Sequence, residues 1–401
     1  MNDWGRELQW NAIAYAMVAA GGVLAILGLW LYFPGLRARW LPLPRLRPGR
    51  WAGYDVFLAF CVEIGFPALI VLLLVLIGFF TPLIGSPPDQ NAPKVEQTVY
   101  SFRARNISSP LALTVTLGMI LAMMFARAGA RPQQYGLSWA RGPANIALGI
   151  AAFVVARPVI IGIFALAVLV YQDESQALKR FGQQNPPAWE WLLFGFQTTI
   201  AAAILEEILF RGLLQGWLRR ASLIGHALAL IWTMFLAADA LVSVDAQTKA
   251  VSIHWSALAP IAAAGLGIAG YVFWMSRLRR EFDLTDEEFR DWQVQPRGMS
   301  LEPGELTEEQ TAQKRRELRT ENERRSQRWA DANAKLAILG SALLFAVFHP
   351  WPGALALFPM GLLLGWLSWR TQSLVGPITF HALFNLTTFI AFYGSVLTAP
   401  R

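Results

Sequence analysis

Three sets of polar residues interrupt stretches of the chain that are otherwise apolar. The first is Glu206, Glu207 and Arg211 within Ile204–Gly212. Helical spacing sorts them. Glu207 and Arg211 are four apart, share a face and can pair. Glu206 is rotated by about 100° from Glu207, which leaves its carboxylate free for chemistry. The second set closes Phe345-Ala346-Val347-Phe348-His349-Pro350, with Phe345 one turn before His349 on the same face. The third is His381 and Asn385, again four apart and on one face. Taken singly, each has a plain structural reading: a charge cluster near a helix end, or a histidine bonded to a neighbouring helix. Taken together, three apolar helices each present polar groups on one face, and in lipid such groups must satisfy one another. An ionisable side chain at the centre of a membrane helix costs roughly 2.5–3.5 kcal/mol on insertion scales, so these residues need a reason to be there.

A glutamate and two histidines in a dry site suit two chemistries. Glu206, His349 and His381 can hold zinc or another divalent metal that activates water. Alternatively, Glu206 acts as general base on a water held by His349, while His381 and Asn385 donate to the oxyanion. Both describe hydrolysis of an acyl bond. The other histidines read as structural: His226 at a helix start, and His254 in an outside loop beside Trp255. Glu63 and Asp239 also lie at membrane depth. Glu63 is the better candidate for a role, although sequence alone names no partner for it.

The elements that position these residues are membrane helices. Of 401 residues, 55% are hydrophobic and only 15% charged, against about 25% charged in a soluble domain. Uncharged runs such as Asn11–Phe33 and Ile64–Thr81 approach or exceed the ~20 residues that cross a bilayer core. The first run is too long for a signal-peptide core and reads as a retained helix. The lone cysteine, Cys61, excludes an intrachain disulfide. The net charge of +7 fits cationic loops at a membrane surface rather than nucleic-acid binding.

Hydropathy gives ten candidate spans: Asn11–Phe33, Val56–Phe80, Leu111–Ala126, Asn145–Tyr171, Trp191–Trp217, Leu223–Val242, Ser256–Met275, Leu336–His349, Gly353–Trp369 and Leu374–Phe392. Arg157-Pro158 predicts a kink or split in the fourth. Every odd-numbered span exits into a loop carrying arginine, from Arg37 after the first to Arg370 after the ninth. This places the basic loops in the cytoplasm and both termini outside, in an inner or plasma membrane. Ser276–Lys335 is dense in charge and reads as a cytoplasmic, largely helical insert. The expected fold is therefore an all-α polytopic membrane bundle of about 8–10 transmembrane helices. Four segments follow: N-terminal helices over 1–109, a stretch with the paired glutamates over 110–220, the insert with two spans over 221–335, and the stretch with both site histidines over 336–401.

The three sets have the forms EExxxR (EEILFR), FxxxH (FAVFH) and HxxxN (HALFN). In that order, each on its own apolar helix, they resemble the CPBP intramembrane metalloproteases, the CAAX-prenyl-endopeptidase and bacteriocin-processing (Abi-like) family. The similarity runs roughly from Tyr135 to Asn385. It implies that Glu206 is the activating carboxylate and His349 its partner, that His381 and Asn385 bind metal or oxyanion, and that Glu207, Arg211 and Phe345 support them. It also implies a membrane-associated peptide or protein as substrate. The competing function is a non-catalytic membrane scaffold or bacteriocin-immunity-type protein that keeps the pocket. The chain departs from the family in one large way: the insert separates the first two motifs, which ordinarily lie on close successive helices.

Overall fold

The computed structural model describes residues 51–86, 88–89, 92, 94–171, 186–221, 223–239, 242–244, 251–253, 265–273, 330–349 and 353–398. Its helices are α1 (Gly53–Leu76), α2 (Lys94–Ala128), α3 (Gly142–Tyr171), α4 (Ala188–Leu218), α5 (Leu223–Asp239), α6 (residues 265–273), α7 (Ala330–Val347), α8 (Gly353–Thr371) and α9 (Val375–Thr398). Among the described residues, six are long and apolar enough to cross a membrane: α1, α4, α7, and the parts Val99–Ala128, Gly142–Leu166 and Val375–Gly394 of α2, α3 and α9. The chain is an integral, multi-pass helical membrane protein. The candidate span Asn11–Phe33, His254 and most of the charged insert lie outside the described residues.

Several boundaries differ from the hydropathy reading. α3 runs unbroken through Pro158, because a proline in a membrane helix is tolerated where neighbouring groups satisfy the freed carbonyl. α5 stops at Asp239, and Val242–Val244 then pairs antiparallel with Val251–Ile253 in a two-stranded ribbon. Valine and isoleucine favour such extended pairing. α7 begins by Ala330 and ends at Val347, so His349 lies just beyond the helix.

Burial identifies the centre of the bundle. Of the α7 span, 72% is buried, against 11–33% of the other five. The outer helices turn apolar stripes outward. On α5, Ile224, Leu228, Ile231 and Phe235 are all exposed, at the spacing of one helix face, as a lipid-facing surface requires. The core joins α4 to α7 directly: Ser341 Oγ donates to the Phe210 carbonyl at 3.1 Å, and the Phe210 and Phe345 rings meet edge-on at 5.2 Å.

Polar anchors fix the helix ends. At one end, Arg103 is paired with the fully buried Glu190, tying α2 to the start of α4. At the other, Asp55 Oδ1 and Arg127 Nε pair at 3.0 Å, tying α1 to the end of α2. His226 is one member of a buried chain of bonds. Its Nε2 meets Asn333 Oδ1 at 2.8 Å, its Nδ1 meets the Tyr271 hydroxyl, and Asn333 Nδ2 donates to the Arg219 carbonyl at 2.8 Å. An amide oxygen only accepts, so His226 donates from Nε2 and accepts at Nδ1. The network holds α5, α6, α7 and the end of α4 together, which gives His226 a structural task.

Small residues set the close approaches. A Cβ on Gly149 of α3 would stand 2.5 Å from the Gly376 carbonyl oxygen and 2.9 Å from Thr379 Cβ, both on α9. Small residues at such crossings let membrane helices pack backbone to backbone. The N-terminus of α9 is pinned further by Leu374 N–H donating to the Gly136 carbonyl at 2.8 Å, with Gly136 at φ 88°. Gly149→Val should therefore lower the stability of the detergent-solubilised protein by about 1–3 kcal/mol, because a backbone oxygen cannot step aside. Thermal unfolding of the purified variant checks this; a melting point unchanged from wild type would contradict the packing.

Candidate active site

α4 carries the paired glutamates, and its backbone is not a plain α-helix. Gln197–Ala201 and Glu207–Leu214 are π-helical, flanking the α-helical turn Ala202–Glu206. Such widened turns are rare and recur at functional sites. They shift the backbone ladder, and within the first of them the Thr198 carbonyl accepts from Asn385 Nδ2 at 2.8 Å.

Glu207 and Arg211 are fully buried and paired, with Arg211 NH1 at 3.1 Å from Glu207 Oε1. The same Oε1 lies 2.9 Å from His381 Nδ1. A carboxylate can only accept in such a bond, so the histidine donates from Nδ1. The Arg211 guanidinium lies over the Phe345 ring, 4.1 Å from its centroid. Phe345 in turn packs against both imidazoles, at 4.8 Å from His349 and 5.8 Å from His381. One buried aromatic thus braces the cation and both histidines, while Glu207 fixes the tautomer of one of them.

Glu206 points elsewhere. Its Oε2 lies 3.6 Å from His349 Nε2 and 3.7 Å from His381 Nε2, too far for a hydrogen bond, and this buried oxygen has no hydrogen-bond partner. His349 Nδ1 meets the Phe345 carbonyl at 2.7 Å. That carbonyl only accepts, so His349 too donates from Nδ1. When neutral, both imidazoles therefore present Nε2 lone pairs to a carboxylate oxygen. The Glu206 and His349 side chains are about a quarter exposed (24% and 26%), whereas that of His381 is 3% exposed, so the cluster opens on the side of Glu206 and His349.

The structure thus brings Glu206, His349 and His381 together from α4, the end of α7 and α9, across an insert more than 100 residues long. Asn385 stands one turn beyond His381 with one amide hydrogen already committed to Thr198. Sequence reasoning missed the His381–Glu207 bond, because its partners are 174 residues apart. It missed the Thr198 carbonyl because π-helical turns have no spacing signature.

Zinc held by Glu206, His349 and His381 would sit about 2.0–2.1 Å from each ligand atom, with the ligand atoms roughly 3.3 Å apart. Here Glu206 Oε2 is 3.6 and 3.7 Å from the two nitrogens. Among the described residues no three His, Cys, Asp or Glu side chains are arranged to hold a metal ion. The donor types suit zinc; the side chains do not close around it.

Comparison with curated proteins and with solved structures gives no match. A protein-family model does match, that of the type II CAAX prenyl endopeptidase Rce1-like family, over residues 188–280 and 320–387. The matched residues include the Glu206–Glu207 pair, Arg211, Phe345, His349, His381 and Asn385, and the gap falls in the charged insert. Over these residues, the chain is similar to the Rce1-like type II CAAX prenyl endopeptidase family.

Proposed function

We propose that this protein is an intramembrane endopeptidase that hydrolyses a peptide bond of a membrane-associated protein or peptide, with Glu206 as the base that activates water. The observation that carries this reading is the two lone pairs on Glu206 Oε2 and His349 Nε2, which face each other at 3.6 Å. Acceptors that face one another need a molecule that donates two hydrogens, and water, the co-substrate of hydrolysis, is one. Water donates to Glu206 and to His349. Glu206 takes its proton as the oxygen attacks the scissile carbonyl carbon. The developing oxyanion is met by His381 Nε2 in its imidazolium form, with Glu207 at Nδ1, and by the second amide hydrogen of Asn385. The family name supplies the substrate class: a prenylated, membrane-tethered C-terminal segment. The loop charges support a cytoplasmic approach to the site.

The test is cleavage of a prenylated C-terminal peptide by the protein in vesicles, beside a comparison of membrane peptides from cells carrying wild type or Glu206→Gln. We expect site-specific cleavage by wild type only. Identical products from both would favour a non-catalytic scaffold. We also expect the purified protein to retain activity after exhaustive chelation, without stoichiometric metal. Stoichiometric zinc, with activity lost on removal and regained on return, would make Glu206, His349 and His381 ligands instead.

A further inference from the structure

α1 lies outside the family-matched residues, and it carries a carboxyl group into the site. α1 and α4 run antiparallel in a register that three contacts fix. Trp51 Nε1 donates to the Leu213 carbonyl at 2.9 Å, a Cβ on Gly53 would touch the Trp217 ring at 2.6 Å, and the Phe60 and Phe210 rings meet edge-on at 5.2 Å. From Phe60, one turn further along α1 reaches Glu63. From Phe210, one turn back along α4 reaches Glu206. Residues one turn apart share a face, so the two carboxyls stand at the same level on facing sides. Phe60 also packs on Phe348 at 5.6 Å, next to His349. Glu63 is half-buried and lies within electrostatic reach of both Glu206 and His349. Among the described residues, no cation or hydrogen-bond donor pairs with it. A carboxyl at membrane depth with no structural partner among the described residues is the kind of residue that marks function.

We infer that Glu63 is a further catalytic residue, the acid that protonates the leaving amine. The inference rests on the endopeptidase reading above. In the first step a water proton passes to Glu206 and the water oxygen bonds to the scissile carbon. In the second step the C–N bond breaks and its electron pair takes the proton of the Glu63 carboxyl. Return of the Glu206 proton to Glu63 restores both groups. The sum is peptide and water going to acid and amine. Glu206 handles the proton of the nucleophile and Glu63 that of the leaving group.

An amine leaves poorly without a proton, whereas an activated phenolate or thiolate leaves without one. The test therefore uses a prenylated peptide in two forms, with an amide or an activated ester at the scissile position, on the full chain in vesicles. Glu63→Gln should lower kcat for the amide by roughly 10²–10⁴-fold with KM nearly unchanged, and for the ester by less than about threefold. Glu63→Asp should recover part of the amide activity, which a merely structural role would not require. Equal losses on both substrates, or no loss on the amide, would overturn the assignment. Glu206→Gln, inactive on both, separates failure of this inference from failure of the endopeptidase reading. If wild type cleaves neither substrate, that reading and the acid role both fall. The placement is then tested by Glu63→Cys with Glu206→Cys in a Cys61→Ser background: crosslinking by a short bifunctional thiol reagent keeps Glu63 in the site, and its absence removes it.

Discussion

Glu206→Gln should reduce cleavage by at least about 10³-fold while leaving the folded protein intact. Glutamine matches the shape of glutamate and cannot accept a proton from water. General-base catalysis is worth roughly 10²–10⁴, and Glu206 has no second carboxylate on α4 to replace it, since Glu207 is committed to Arg211 and His381. Because the base acts in the transition state and not in substrate binding, kcat and kcat/KM should fall together. Stability should move by less than about 0.5 kcal/mol, because Glu206 Oε2 makes no hydrogen bond that the change would break. Steady-state kinetics in vesicles and thermal unfolding in detergent check the two halves. A variant that keeps kcat while KM rises would make Glu206 a substrate-binding group rather than a base.

How far the site was legible in the sequence depends on the residue. Spacing of four within one helix gave the Glu207–Arg211 pair and placed His381 and Asn385 on a common face, because helical geometry is local. Hydropathy located α1 to α5 and α7 to α9 to within a few residues in most cases, because lipid demands long uncharged runs. Depth was harder. Counting along ideal helices from the Asn333–Arg219 contact puts His349 about 24 Å up α7 and Glu206 about 20 Å up α4, an apparent mismatch. Side chains lean towards the N-terminus of their own helix. α4 and α7 run in opposite directions, so Glu206 leans outward and His349 inward, and they meet at 3.6 Å. Contacts between helices were not legible at all. Nothing local to His381 points to Glu207, nothing local to Asn385 points to Thr198, and Glu63 gains its meaning only from the register of α1 against α4. The insert made adjacency of α4 and α7 doubtful on sequence grounds. The Ser341–Phe210 bond and the Phe210–Phe345 contact make them neighbours, because an insert that leaves and re-enters at one membrane face need not disturb the helices it joins.

The largest expected effect on folding belongs to Arg211. Arg211→Ala should cost about 3–5 kcal/mol, because removing one partner of a buried pair leaves the other as an uncompensated charge. The orphan here is Glu207, whose side chain is fully buried, so solvent screening offers no relief. The loss extends beyond the pair. The guanidinium covers one face of Phe345, and that ring braces His349 and His381. The amount of monodisperse protein after detergent extraction should fall sharply, and what remains should melt early. Charge, not volume, is the proposed cause, and a double variant separates the two. Glu207→Gln with Arg211→Met removes both charges and keeps an acceptor for His381 Nδ1. It should therefore regain much of the stability lost in Arg211→Ala, while its activity stays low because a neutral amide holds the His381 Nδ1–H less strongly than the Glu207 carboxylate does. If Arg211→Ala instead folds like wild type while Glu206→Gln does not, the two adjacent glutamates have the opposite roles, with Glu206 holding the structure and Glu207 facing the water.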